Sequence, residues 1–221
     1  MREQWTARGR GLALAALTVC TSAVTAQAAE PQGHSPQARQ SSLNASTSTR
    51  HATTGRIVRT RGRLQPAVGG RKVALQVRLN SRWRTVDTDR TARSGRVSTS
   101  WRPGRPGRFK LRLRFAGDGR TAAAGDRLRV NSYRAGHASW YGPGLYGNKL
   151  GCGGTLTPST VGVAHKSLPC GTKVTFRYRG RSVTARVVDR GPYVAGREWD
   201  LTEALKRKLR FPSTGTVWTT K

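Results

Sequence analysis

Acidic side chains are scarce in this 221-residue chain: 10 Asp and Glu stand against 41 Lys and Arg, a formal net charge of +31. Such a chain is drawn to polyanions. Long apolar runs are scarce as well. The stretch from Gly11 to Ala26 is too short and too rich in Ala and Thr to span a bilayer permanently. Nothing after it is apolar for long enough to be a membrane helix, so no stable anchor is expected. Cysteine is limited to Cys20, Cys152 and Cys170. A metal site would need more His or Cys near His165 than the chain supplies.

What is present at the start has the form of an export signal. Arg2, Arg8 and Arg10 precede the apolar run, and Ala26-Gln27-Ala28 offers the small-x-small pattern of a cleavage site. Residues 1–28 are therefore expected to be a signal peptide, and the protein to work outside the cytoplasm. Val19 before Cys20 suits a lipoprotein signal poorly, which leaves lipidation the lesser alternative. Without the leader two cysteines remain, and an even pair in an oxidising compartment reads as a disulfide between Cys152 and Cys170. For an exported protein the polyanions at hand are wall polymers and anionic membrane surfaces. The export signal and the lack of any base-reading motif argue against nucleic acid.

Residues 29–54 are Ser, Thr, Gln, Ala and Pro with few apolar side chains, a composition expected of a disordered linker. Residues 55–134 alternate with period two. Val73, Leu75, Val77 and Leu79 interleave with Ala74, Gln76 and Arg78, and Phe109, Leu111, Leu113 and Phe115 interleave with Lys110, Arg112 and Arg114. This predicts half-buried antiparallel strands, with Asn80-Ser81 as a hairpin turn. A small, basic, immunoglobulin-like β-sandwich is expected, suited to adhesion or spacing. It has no clustered carboxylates, so catalysis is not expected there.

From residue 135 to 221 the texture changes. Strand-like runs cover Lys173–Tyr178 and Ser182–Val188. A short helix is expected over Ala204–Leu209, capped by Asp200 or Thr202 and ended by Pro212, and Thr216-Val217-Trp218 makes a last strand. The pattern is a small β-barrel with one helix.

Four segments of this region carry a resemblance: Ala138–Gly142, Ala164–Thr172, Val188–Tyr193 and Trp199–Thr202. In order and spacing they resemble the rare lipoprotein A-like domains, related to expansins and to barrel-type lytic transglycosylases. The resemblance implies a six-stranded double-psi β-barrel with a glycan-binding groove. It implies cleavage of peptidoglycan glycan strands without a cofactor, one carboxyl acting as acid and then base. Such a carboxyl must stay protonated near neutral pH, hence partly desolvated.

After Ala135 the only carboxylates are Asp189, Glu198, Asp200 and Glu203. Asp200 matches the leading acid of the related barrels, and Asp189 the aspartate of the Asp-Arg-Gly-Pro motif. Each has a plain structural alternative: Asp200 as helix cap, Asp189 as acceptor from Arg190 or backbone amides. Glu198 and Glu203 are expected to be solvated, Glu203 in a capping box. His165 matches the family's His and is expected to orient an aspartate or bond sugar, with a core role as the alternative. Trp140, Tyr141, Tyr146, Arg190 and Tyr193 are the expected sugar contacts, although core packing suits Trp140 better. The chain departs from the pattern at Gly154-Thr155, where many members carry Glu. That departure favours the alternative function, an expansin-like wall binder that does not cut.

Overall fold

The computed structural model describes residues 37–221. The expected signal peptide, Cys20 within it and the first part of the expected linker lie outside the described residues.

The first half is built from two facing sheets. Strands β1 (Ser42–Thr47), β3 (Val58–Gln65) and β6 (Arg96–Trp101) form one, with β3 central and both pairings antiparallel. The other runs β5 (Arg82–Arg90), β4 (Lys72–Leu79), β7 (Gly107–Phe115) and β8 (Ala124–Tyr141), again antiparallel, and β2 (His51–Thr53) adds in parallel to β8. On β4 and β7 the inward residues are those the alternation predicts, with Leu79 only partly buried. Val58 and Leu64 from one sheet meet Val73, Leu75, Val77, Leu111 and Leu113 from the other, all fully buried. Asn80 and Ser81 both adopt positive φ, 45° and 64°, as a tight two-residue hairpin requires. The sheets approach so closely at Gly62 that a Cβ there would stand 2.7 Å from Leu113 Cδ1.

The linker expected over 29–54 is corrected by β1 and β2. Leu43 and Ala52 are the buried residues of these strands. That is enough, because a strand added to a sheet edge takes its backbone hydrogen bonds from its neighbour and needs little core of its own. The boundary expected at 134/135 also falls inside one unbroken strand. The first part of β8 pairs with β7, and its last part, from Arg134, pairs with β13 (Gly215–Thr219) and β12 (Trp199–Thr202).

Beyond that point six strands close on themselves in the order β12, β9 (Gly162–Ala164), β11 (Arg181–Asp189), β10 (Lys173–Tyr178), β13, β8. The β12–β8 pairing completes the ring. Two pairings, β11–β9 and β12–β8, are parallel and the rest antiparallel. Phe176, Val187, Trp199, Leu201 and Val217 fill the interior, and helix α1 (Glu203–Leu209) packs Leu205 and Leu209 onto it. Seven residues make a marginal helix alone, so this packing sustains it. Thr202 is its cap, its hydroxyl accepting from Leu205 N at 3.4 Å. Asp200 therefore lies in strand β12 and is not the cap. Arg210 ends the helix in the left-handed region, φ 53°.

Candidate active site

Two aspartates reach one end of the barrel on either side of β9. In the β-ladder Ala164 is the partner of both Asp189 on β11 and Asp200 on β12. The register slips between Val187 and Asp189, and this irregularity brings Asp189 beside Ala164. Two strand spacings separate the aspartate backbones, about 10 Å. Asp200 is also opposite Ser139 in the parallel β12–β8 pairing. Ser139, buried, donates its hydroxyl to Asp200 Oδ1 at 2.8 Å.

Asp200 is half-buried. Burial lifts its carboxyl above the ordinary carboxylate range. The Ser139 hydrogen bond and Arg197 oppose the shift without cancelling it, and Asp189 adds a smaller upward push. Asp200 Oδ2 accepts no hydrogen bond from the described residues.

Asp189 is differently placed. Its Oδ1 accepts from Gly151 N at 2.7 Å and from Arg190 N at 2.8 Å. The first of these bonds ties the loop carrying Cys152 to the end of β11. The Tyr141 hydroxyl is buried beside both aspartates with no hydrogen bond of good geometry. Burial first, then the Asp189 charge, pushes this phenol far above its usual value, so Tyr141 stays neutral.

His165 Nδ1 accepts from Ser167 N at 3.1 Å and Leu168 N at 3.0 Å, leaving the proton on Nε2. Burial holds the imidazole below its ordinary value. The ring lies against Trp199, centroids 4.5 Å apart, and bonds neither aspartate side chain. The Arg190 guanidinium is spent on the same loop: it donates to His165 O at 3.3 Å, Leu168 O at 3.0 Å and Cys170 Sγ at 2.9 Å. Cys152 and Cys170 form a disulfide.

Among the aromatics, Tyr141 lies beside the aspartates. Trp140, one residue earlier on β8, points the opposite way, packs on the barrel core and carries Lys206 Nζ 3.5 Å from its ring centroid. Tyr193 is 80% exposed after the Gly191-Pro192 cis bond and stands free. The Tyr146 hydroxyl donates to Glu203.

That last contact corrects the expectation for Glu203, and Glu198 needs correcting too. With Thr202 as cap, Glu203 is the first helical residue and cannot close a capping box, which needs the third. Glu198 is not left to solvent. Both its oxygens engage the Arg134 guanidinium, because β12 runs beside β8 and brings the residue before it onto Arg134. Sequence reasoning gave no role to Ser139. The signal was present, since a hydroxyl two residues before Tyr141 shares its strand face, but its facing partner is a matter of barrel register.

The closed ring of six strands with two parallel pairings and a single helix is a double-psi β-barrel, and the aspartate pair at its end suits carbohydrate chemistry. This region is similar to the rare lipoprotein A-like domains: a family model described as "Lytic transglycolase" matches residues 133–219. The same region is 39% identical over 88 residues to a Synechocystis protein named probable endolytic peptidoglycan transglycosylase RlpA, covering 39% of this chain and 27% of that one. It is 43% identical over 92 residues to the endolytic peptidoglycan transglycosylase RlpA of Campylobacter jejuni, covering 41% and 34%. The Pseudomonas aeruginosa protein of that name is 41% identical over 91 residues, covering 40% and 27%. The chain thus spans about a third or less of the length of these relatives.

Proposed function

We propose that the barrel is a peptidoglycan lytic transglycosylase with Asp200 as its acid and base. The observation that carries this is a half-buried carboxyl with a raised pKa, one oxygen held by Ser139 and the other free of hydrogen bonds from the described residues. Protonated Asp200 gives its proton to the glycosidic oxygen as the bond at the muramic acid C1 breaks. The C6 hydroxyl of that sugar then attacks C1 and returns a proton to Asp200. The anhydro product forms without water, and the acid is regenerated. Asp189 shapes the site by holding the Gly151–Cys152 loop, and Tyr141 keeps a neutral hydroxyl between the aspartates as a donor to the sugar. The names of the relatives support the substrate.

Such a protein works outside the cytoplasm, where its basic first half would hold it on anionic wall polymers. A second reading, binding without cleavage, is favoured by exposed Thr155 on the disulfide loop, where many family members carry Glu.

The test is mass spectrometry of peptidoglycan incubated with the protein and with Asp200→Asn. Soluble anhydro-muropeptides from the native protein, reduced about 100-fold or more in the variant, support cleavage by Asp200. Glycan bound but uncut by both leaves the binding reading.

A further inference from the structure

The sheet β5-β4-β7-β8 turns one face to the core and the other to solvent. The solvent face carries Arg108, Lys110, Arg112 and Arg114 from β7 and Arg127 and Arg129 from β8. In register, Lys110 stands opposite Arg129 and Arg112 opposite Arg127. Directly opposed like charges destabilise a sheet, and here two such pairs are adjacent.

No acid among the described residues relieves them. Asp126, on β8 itself, points inward and accepts from Ala45 N at 2.8 Å. Asp87 and Asp89 accept from Ser100 N at 2.7 Å and Ser98 N at 3.1 Å, covering the edge of β6. Asp118 pairs with Arg71 at 2.9 Å. Every carboxylate of the sandwich is thus committed elsewhere. The opposite sheet makes a useful contrast. Its outward Arg59 and Arg61 face Ser100, Ser98 and Ser46, neutral partners, and a single like-charge pair, Arg63 opposite Arg96, stands on it rather than two adjacent ones.

The basic face is also shaped. A depression of about 310 Å³ lined by Arg78, Trp83 and Arg127 adjoins one of about 620 Å³ lined by Arg108 and Asn131, and Lys110 and Arg129 line both. Together they form a track across β7 and β8. Its cations repeat at roughly 5 Å between strands and 7 Å along them, a spacing that suits closely spaced phosphates. Guanidinium forks match phosphate oxygens in pairs. The aromatic rings lining the track are already engaged: Phe109 is buried, His51 stacks on Tyr133, and Trp83 is covered by Arg112, 4.3 Å from its ring centroid. They offer neither a stacking platform for a base nor an apolar wedge for a membrane.

We propose that this face is a docking track for a linear phosphodiester polymer without bases, such as a polyol-phosphate chain. This rests on the reading that the protein works on the wall, and it names the anionic partner there. The track lets the barrel act on glycan close to where such a polymer is attached.

The full chain is titrated with poly(glycerol phosphate), polyglutamate, single-stranded DNA and phosphatidylglycerol vesicles. Two triple variants are compared: Lys110→Gln/Arg127→Gln/Arg129→Gln on the track, and Arg59→Gln/Arg61→Gln/Arg63→Gln on the opposite sheet. The track variant should lose about tenfold or more in affinity for poly(glycerol phosphate), and the control about twofold or less, with salt weakening the native interaction. The track variant should also be at least as resistant to thermal unfolding as the native protein, since it sheds repulsion. Equal losses in both variants would reduce the effect to net charge and overturn the proposal. Preference for DNA or vesicles, or equal affinity for polyglutamate, would overturn it too. Cleavage of peptidoglycan stripped of phosphodiester polymer is measured in parallel. Cutting without polymer binding sinks this inference alone, and polymer binding without cutting sinks only the enzymatic reading.

Discussion

Ser139 and Asp200 divide the work of one carboxyl. Burial keeps Asp200 protonated to higher pH than an exposed aspartate, and the Ser139 hydroxyl, 2.8 Å away, pulls the other way by stabilising the charged form. An acid that must later act as a base gains from this opposition, because too high a pKa would make proton return easy and donation slow. The consequence is a signed prediction. Ser139→Ala removes the hydrogen bond that holds the pKa down, so the alkaline limb of the pH–rate profile should move to higher pH. At the optimum kcat should fall by less than about tenfold, since the carboxyl itself remains. A pH profile of anhydro-muropeptide release checks this. Loss of rate with an unmoved limb would mean that Ser139 only packs against β12. Arg190 shows the opposite lesson: the residue expected to touch sugar gives its guanidinium to the His165–Cys170 loop.

At the scale of elements, the loops around the barrel mouth are held covalently and by charge. The disulfide joins residues 18 apart. On the chain-entropy model a bridge of that span stabilises by about 3 kcal/mol. It ties the loop that Asp189 holds through Gly151 to the loop that Arg190 holds through Leu168 and Cys170. Cys152→Ser/Cys170→Ser should therefore lower unfolding stability in urea by about 2–4 kcal/mol and reduce cleavage, because the Asp189 end of the site loses its tether. Unchanged stability in that titration would show that the hydrogen bonds to Asp189 and Arg190 suffice to hold both loops.

Over the whole molecule, β8 is the connecting member. Its 18 residues supply a strand to the sandwich, between β7 and β2, and then a stave to the barrel, with the Arg134–Glu198 pair at the passage. Strand pairing on both halves makes the register of one depend on the other. Thermal unfolding should therefore show one transition, with near-ultraviolet circular dichroism and calorimetry giving the same midpoint. Two resolved transitions would show that the halves melt separately despite the shared strand. The same continuity sets the basic track and the barrel on one framework.

Much of this architecture was legible in the chain itself. Val73–Leu79 and Phe109–Phe115 could only be strands with one buried face, because alternation leaves no other way to bury those side chains together. Lys173–Tyr178 and the Asn80-Ser81 turn followed from equally local rules. The motifs around Tyr141, His165, Asp189 and Asp200 pointed to the double-psi barrel through their resemblance, in order and spacing, to the rare lipoprotein A-like domains. Ser42–Thr47 was misread as linker because its hydrogen-bond partners are on β3 and its own composition is nearly apolar-free. The cap could not be chosen between Asp200 and Thr202 from sequence, since that depends on which residue the β12 ladder releases first. Local sequence thus determined which segments extend, which one coils and which carboxylates were available. Only the tertiary structure decided which carboxylate is half-buried with a raised pKa, which are tied to Arg134, Tyr146 or backbone amides, and which arginines face one another unrelieved. Those outcomes depend on contacts between residues far apart in the chain, which alternation and spacing do not encode.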